Sequence, residues 1–97
     1  MLTSSGRAKL RAMATSISPI FQIGKGGVSE NQLKDIVAAL EARELIKITV
    51  LRNADTTAKD IIDDLAKRAG AEAVTAIGSK IVLYKRSTRE DYNHIEF

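Results

Sequence analysis

Four residues, Gly24-Lys25-Gly26-Gly27, constrain this chain more than any others. They follow the apolar run Ile20-Phe21-Gln22-Ile23 and lead into Val28-Ser29-Glu30-Asn31-Gln32, which reads as a helix start. The order is strand, glycine loop, helix. Glycine lets a backbone approach a ligand where a Cβ would clash. The helix start presents free N–H groups and partial positive charge, and Lys25 adds a full charge beside it. Such a loop suits a phosphate. A lone GxxG is a weak motif, however, and a tight turn using glycine for geometry alone stands as the other reading.

The charge pattern bears on the choice. Net charge is +3, but it is unevenly spread. Arg7, Lys9, Arg11 and Lys25 all precede the first carboxylate, Glu30, and the remainder of the chain is close to balance. Positive potential gathered in one stretch attracts a polyanion. The alternative for Arg7, Lys9 and Arg11 is an ordinary solvated helix face. Lys47 and Arg52 either extend a basic surface or keep a strand and its loop from aggregating.

With 97 residues, 44% of them hydrophobic, the chain makes one folded domain. Residues 3–14 read as a helix with Leu10, Met13, Ala14 and Ile17 on its buried side, ended by Pro19. Residues 20–23 form a strand. A helix over 29–43 starts at Ser29, with Gln32 completing a capping box, and buries Leu33, Ile36, Val37 and Leu40. A strand over 45–51 places Ile46, Ile48 and Val50 on one face and Lys47 and Thr49 on the other. Asp55 or Thr56 caps a helix over 57–69, with Ala58, Ile61, Ile62, Leu65 and Ala69 inward, and Gly70 stops it. Strands over 73–77 and 80–85 join through a Gly78-Ser79 hairpin. Residues 87–97 read as a loose polar tail, with Ile95 and Phe97 able to dock. The expected fold is α/β, in the order αβαβαββ: a mixed four-stranded sheet with three helices and right-handed crossovers.

Several function classes lack residues to carry them. There is no cysteine, hence no disulfide or thiolate metal site, which fits a reducing cytoplasm. No apolar run approaches a membrane span, and the N-terminal residues hold no signal-peptide core. The one histidine, His94, has no spaced ligand set around it. Asp63 and Asp64 point about 100° apart on a helix and form no catalytic pair. No Lys-Ser or Lys-Thr follows the glycines at P-loop spacing. The expectation is a non-enzyme without metal or cofactor.

Three separated blocks resemble one family. Residues 19–27, Pro-Ile-Phe-Gln-Ile-Gly-Lys-Gly-Gly, resemble the signature of the CRM domain, named for chloroplast RNA splicing and ribosome maturation. Residues 39–48, Ala-Leu-Glu-Ala-Arg-Glu-Leu-Ile-Lys-Ile, are similar to a second block, and residues 77–85, Ile-Gly-Ser-Lys-Ile-Val-Leu-Tyr-Lys, to its closing hairpin. The likeness spans residues 2 to 86 and is that of a stand-alone bacterial YhbY-type protein, with residues 87–97 as an unmatched tail. Arg43 stands where many members carry histidine, and keeps a cation there.

The resemblance implies a fold like the C-terminal domain of translation initiation factor three. It also implies a cytoplasmic RNA-binding protein that associates with precursors of the large ribosomal subunit, its partner being their ribosomal RNA. Gly24, Lys25, Gly26 and Gly27 would clamp the RNA backbone as GXXG loops do, with Arg7, Lys9 and Arg11 alongside and on the same side of the molecule. Asn31 in the next turn either meets RNA or solvates the helix end, and Tyr84 either stacks on a base or packs in the core. The alternatives are a protein-interaction module of the translation machinery without RNA contact, and a small phosphoryl-ligand domain using the same loop. Neither the bound RNA element nor the oligomeric state is written in the sequence.

Overall fold

A computed structural model describes residues 2–91 and 93–97; Met1 and Tyr92, which fall within the expected domain and tail, lie outside the described residues. The elements are α1 (Ser4–Ala14), β1 (Phe21–Ile23), α2 (Glu30–Arg43), β2 (Leu45–Val50), α3 (Ala58–Ala69), β3 (Glu72–Ile77) and β4 (Lys80–Tyr84). This is the expected αβαβαββ order. The sheet runs β1-β2-β4-β3, with β1 parallel to β2 and both β2–β4 and β3–β4 antiparallel, so it is mixed.

Each sheet face carries its own core. On one face Ile36 and Leu40 from α2 and Ile62 and Leu65 from α3 pack on Ile23, Ile46, Ile48, Ile81 and Leu83. On the other, Leu10 and Ala14 of α1 pack on Leu45, Val74, Val82 and Tyr84. The alternation Ile46/Ile48/Val50 against Lys47/Thr49 holds as the sequence predicts, because one β2 face is sealed while the other is half-buried. Met13 departs from expectation. It is 39% exposed, because α1 lies on the sheet with Leu10 and Ala14 inward.

A bulge between Ala73 and Thr75 puts the adjacent residues Val74 and Thr75 opposite Val82. Val74 joins the α1 core while Ala73 and Ala76 pack on the other, a switch of face that simple alternation in β3 does not produce.

The helix ends follow capping chemistry, with two departures. Ser29 Oγ accepts from the Gln32 N–H at 3.1 Å, but the Gln32 side chain does not close the box; its Nε2 donates to the Gln22 carbonyl at 2.7 Å, tying α2 to β1. The cap of α3 is Thr57, accepting from the Asp60 N–H at 3.2 Å, rather than Asp55 or Thr56. Gly70 ends α3 in the left-handed region at φ 66°, as expected.

The expected loose tail is docked at Ser87, Thr88, His94, Ile95 and Phe97. Glu44, with no exposed surface, accepts from the backbone N–H of Ser87 at 2.7 Å and of Ile95 at 2.8 Å, and from His94 Nδ1. Glu41 Oε1 accepts from the Thr88 N–H at 2.8 Å and from the Ser87 and Thr88 hydroxyls at 2.9 and 2.6 Å. The Phe97 ring meets Tyr84 edge-on at 5.1 Å. It also crowds Gly6, where an added Cβ would lie 2.9 Å from the ring. Polar composition misleads here because the partners are Glu41 on α2 and Glu44 at its C-cap, 43 to 51 residues earlier in the chain.

Candidate nucleic-acid interface

The glycine loop is a tight turn closed by the Gly27 N–H donating to the Gly24 carbonyl at 3.2 Å. Gly26 sits at φ 93° and Gly27 at φ 74°, a region that favours glycine. Neither has an atom within 4 Å of where a Cβ would stand, so both face open space. Gly24 differs. A Cβ there would make only ordinary contact with Leu51 at 3.6 Å and with Asn53 at 3.9 Å. Gly26 and Gly27 thus need glycine's conformational freedom, whereas Gly24 has no positive φ and serves the turn through its carbonyl. Lys25 is exposed at the tip.

Three connections meet at this end of the sheet. The Leu51 N–H donates to the Ile23 carbonyl at 2.8 Å, and the Val50 N–H to the Ser79 carbonyl at 2.7 Å. The glycine loop, the loop carrying exposed Arg52, and the Gly78-Ser79 hairpin are thus held together where β1, β2 and β3 end. The α2 N-terminus opens from the same loop, with Glu30 in its first turn. That carboxylate faces Arg68 at 3.8 Å, across exposed surface where such a pair is worth little.

The predicted basic set is divided by the fold. Arg7 Nε donates to the Ala73 carbonyl at 3.2 Å, fastening α1 to the start of β3. Lys9 lines a hollow with Glu72, Tyr84 and Phe97, again where β3 starts. Both lie at the end of the strands opposite the glycine loop, since β3 runs from Glu72 toward the hairpin. Arg11, one turn on, lines a groove with Lys47, Thr75 and Lys80, toward the loop end. Of the three, only Arg11 lies toward the loop end of the sheet, so they do not form one cluster beside the glycines. The separation arises because α1 crosses the sheet rather than running along one edge of it.

Asn31 is exposed in the first turn of α2. Tyr84 is buried against Phe97, so it packs rather than presenting a face to a base. Burial and the Glu44 carboxylate raise its hydroxyl above the ordinary tyrosine range. Sequence reasoning missed Glu44. Its signal was the abrupt Arg43-Glu44-Leu45 junction, where helix passes to strand with no glycine; Glu44 takes the turn itself at φ 66°. Among the described residues no His/Cys/Asp/Glu group is arranged to hold a metal ion. No described helix is long and apolar enough to cross a membrane.

Comparison with known proteins agrees with this architecture. The chain is 48% identical over 87 residues to "Probable RNA-binding protein YqeI" of Bacillus subtilis (strain 168), covering 90% of this chain and 91% of that one. It is 34% identical over 89 residues to an RNA-binding protein of Haemophilus influenzae, with 90% of each chain covered. Among solved structures, that of SAV1595 from Staphylococcus aureus, described as a candidate RNA-binding protein, matches with a TM-score of 0.78 and 45% identity over 94% of this chain and 95% of that one. The family model of the CRS1 / YhbY (CRM) domain matches residues 2–85, and the chain belongs to that family.

Proposed function

We propose that this protein binds RNA through the loop end of its sheet, and that the RNA is ribosomal RNA in precursors of the large subunit. The observation that carries the first part is the glycine turn: an exposed Lys25 beside two glycines at positive φ with open space around them, leading directly into the start of α2. An RNA backbone can come close there, because no side chain stands off the two glycines. The helix start contributes partial positive charge and Lys25 a full one. Because the Gly27 N–H is spent on Gly24, Gly27 contributes conformation rather than a hydrogen bond to phosphate. Arg11 adds a cation on the same half of the sheet. Arg7 and Lys9 are left to structural and solvated roles.

Support for RNA as the partner comes from the relatives named as RNA-binding proteins. The assembly role rests on the family resemblance. Recognition is of backbone and shape, since Tyr84 is buried. No step in this account is catalytic.

The test is sedimentation of tagged protein from a cell lysate through a sucrose gradient at low and high salt. Co-migration with particles at or just below the large subunit, released by salt, is the expected result. Protein remaining at the top of the gradient in low salt would overturn the ribosomal assignment.

A further inference from the structure

Helix α1 covers only half of its sheet face. Its core contacts, Leu45, Val74, Val82 and Tyr84, lie at the end remote from the glycine loop. Beyond them the strand registers align Gln22 with Thr49, Thr49 with Lys80, and Lys80 with Ile77. Paired residues of neighbouring strands share a face, so these four side chains form one row across all four strands. At about 4.8 Å per strand spacing the row is about 14 Å long. It ends beside Ile23, the residue that enters the glycine loop.

The row is chemically suited to a polyanion. The groove between it and α1 is lined by Arg11, Lys47 and Lys80 with no carboxylate among its lining residues. Ile77 is 62% exposed, an apolar side chain set between those cations. The bulge in β3 matters here, because it brings Thr75 and Ile77 to this face while leaving Ala76 in the opposite core. The β-hairpin that carries Ile77 and Lys80 is pinned to β2 by the Val50–Ser79 hydrogen bond, so the surface is preformed.

We propose that this open half-face is a second RNA contact, continuous with the glycine loop. It takes a single strand whose phosphates lie against Lys47, Lys80 and Arg11 and whose base rests on Ile77. The inference rests on the RNA-binding reading above and extends it from a loop to a track. A flat row of polar, basic and exposed apolar side chains, bordered by Lys47 and Arg11, suits an unpaired strand, whose base faces are open to apolar contact.

Two experiments test it. The first measures affinity of the full chain for a short oligouridylate against salt, comparing the unchanged protein, Lys25→Ala, and the double variant Lys47→Gln/Lys80→Gln. Losing two phosphate contacts lowers the slope of log K against log salt by about 1.4 and weakens binding about tenfold. The second follows backbone amide signals of the unchanged protein by NMR during the same titration, so that no variant has to fold. Shifts at Thr49, Thr75, Ile77 and Lys80 as well as at residues 24–31 are expected. Shifts confined to residues 24–31, with the double variant binding like the unchanged protein, would overturn the half-face while leaving the loop intact. Equal competition by an RNA duplex would overturn the single-strand assignment. No binding by the unchanged protein would remove both readings together.

Discussion

At position 26 the backbone runs at φ 93° and at position 27 at φ 74°, angles that cost an alanine about 1 kcal/mol or more. Gly24 has no such angle, and room for a methyl group. Three look-alike glycines therefore separate on substitution. Gly24→Ala is expected to change stability by less than about 0.5 kcal/mol, whereas Gly27→Ala costs about 1 kcal/mol, both read by urea denaturation. Equal losses at the two positions would refute the assignment. Strain also makes Gly26 a poor place for a charge-reversal test, since loss of binding there would mix electrostatics with a distorted turn; Lys25 is the clean position. The sequence announced a glycine loop but not which glycines bend it, because φ is set by how β1 and α2 are joined in space. At Glu44 the glycine-free junction was visible, but its positive φ and burial were not, because a helix end, a strand start and a distant tail converge there.

Among elements, the least legible was the segment after β4. Residues 87–97 have little apolar content, and Ser87, Thr88 and Ile95 are held by acceptors on Glu41 of α2 and on Glu44 just past its end. Burial alone would raise the Glu44 carboxyl. The hydrogen bonds from His94, Ile95 and Ser87 outweigh it and hold the group below the ordinary glutamate range. Hydrogen bonds from the Thr88 and Ser87 side chains likewise lower Glu41. Both folded values lie below the unfolded ones, so this stability is present above about pH 4.3 and is lost as pH falls through the folded values. Hydrogen-exchange protection of the Ser87 and Ile95 amides should hold at pH 7 and fall selectively below about pH 4, ahead of the core strands. Glu44→Gln turns an amide N–H₂ toward donors and leaves buried groups unmatched. It should cost about 2 kcal/mol, or roughly 10 °C in Tm, and abolish protection at both amides at neutral pH. Unchanged protection in that variant would show that the tail is held by Ile95 and Phe97 packing alone. The helices and strands themselves were legible, since Leu, Ile and Val spacing settles period and face; Met13, the Gln32 side chain, the Thr57 cap and the β3 bulge escaped.

Over the whole molecule the sheet has two unlike ends. One gathers the glycine loop, Arg52, the 78–79 hairpin and the open half-face with Lys47 and Lys80. The other holds the α2 C-terminus, the glutamate-clamped tail, Arg7 and Lys9. The charge asymmetry along the chain pointed to a polyanion, but it placed Arg7, Lys9 and Arg11 together. How α1 crosses the sheet splits them, and no one-dimensional pattern carries that angle. The proposed function has RNA held electrostatically at the loop end. The most direct test is affinity for single-stranded RNA against salt, in the unchanged protein, in Lys25→Ala and in Lys9→Ala. About four cations, Lys25, Arg11, Lys47 and Lys80, predict a slope of log K against log salt of about −3; Lys25→Ala should shallow it by about 0.7 and Lys9→Ala should leave it unchanged. A near-flat slope, or one that responds to Lys9 and not to Lys25, would contradict the account.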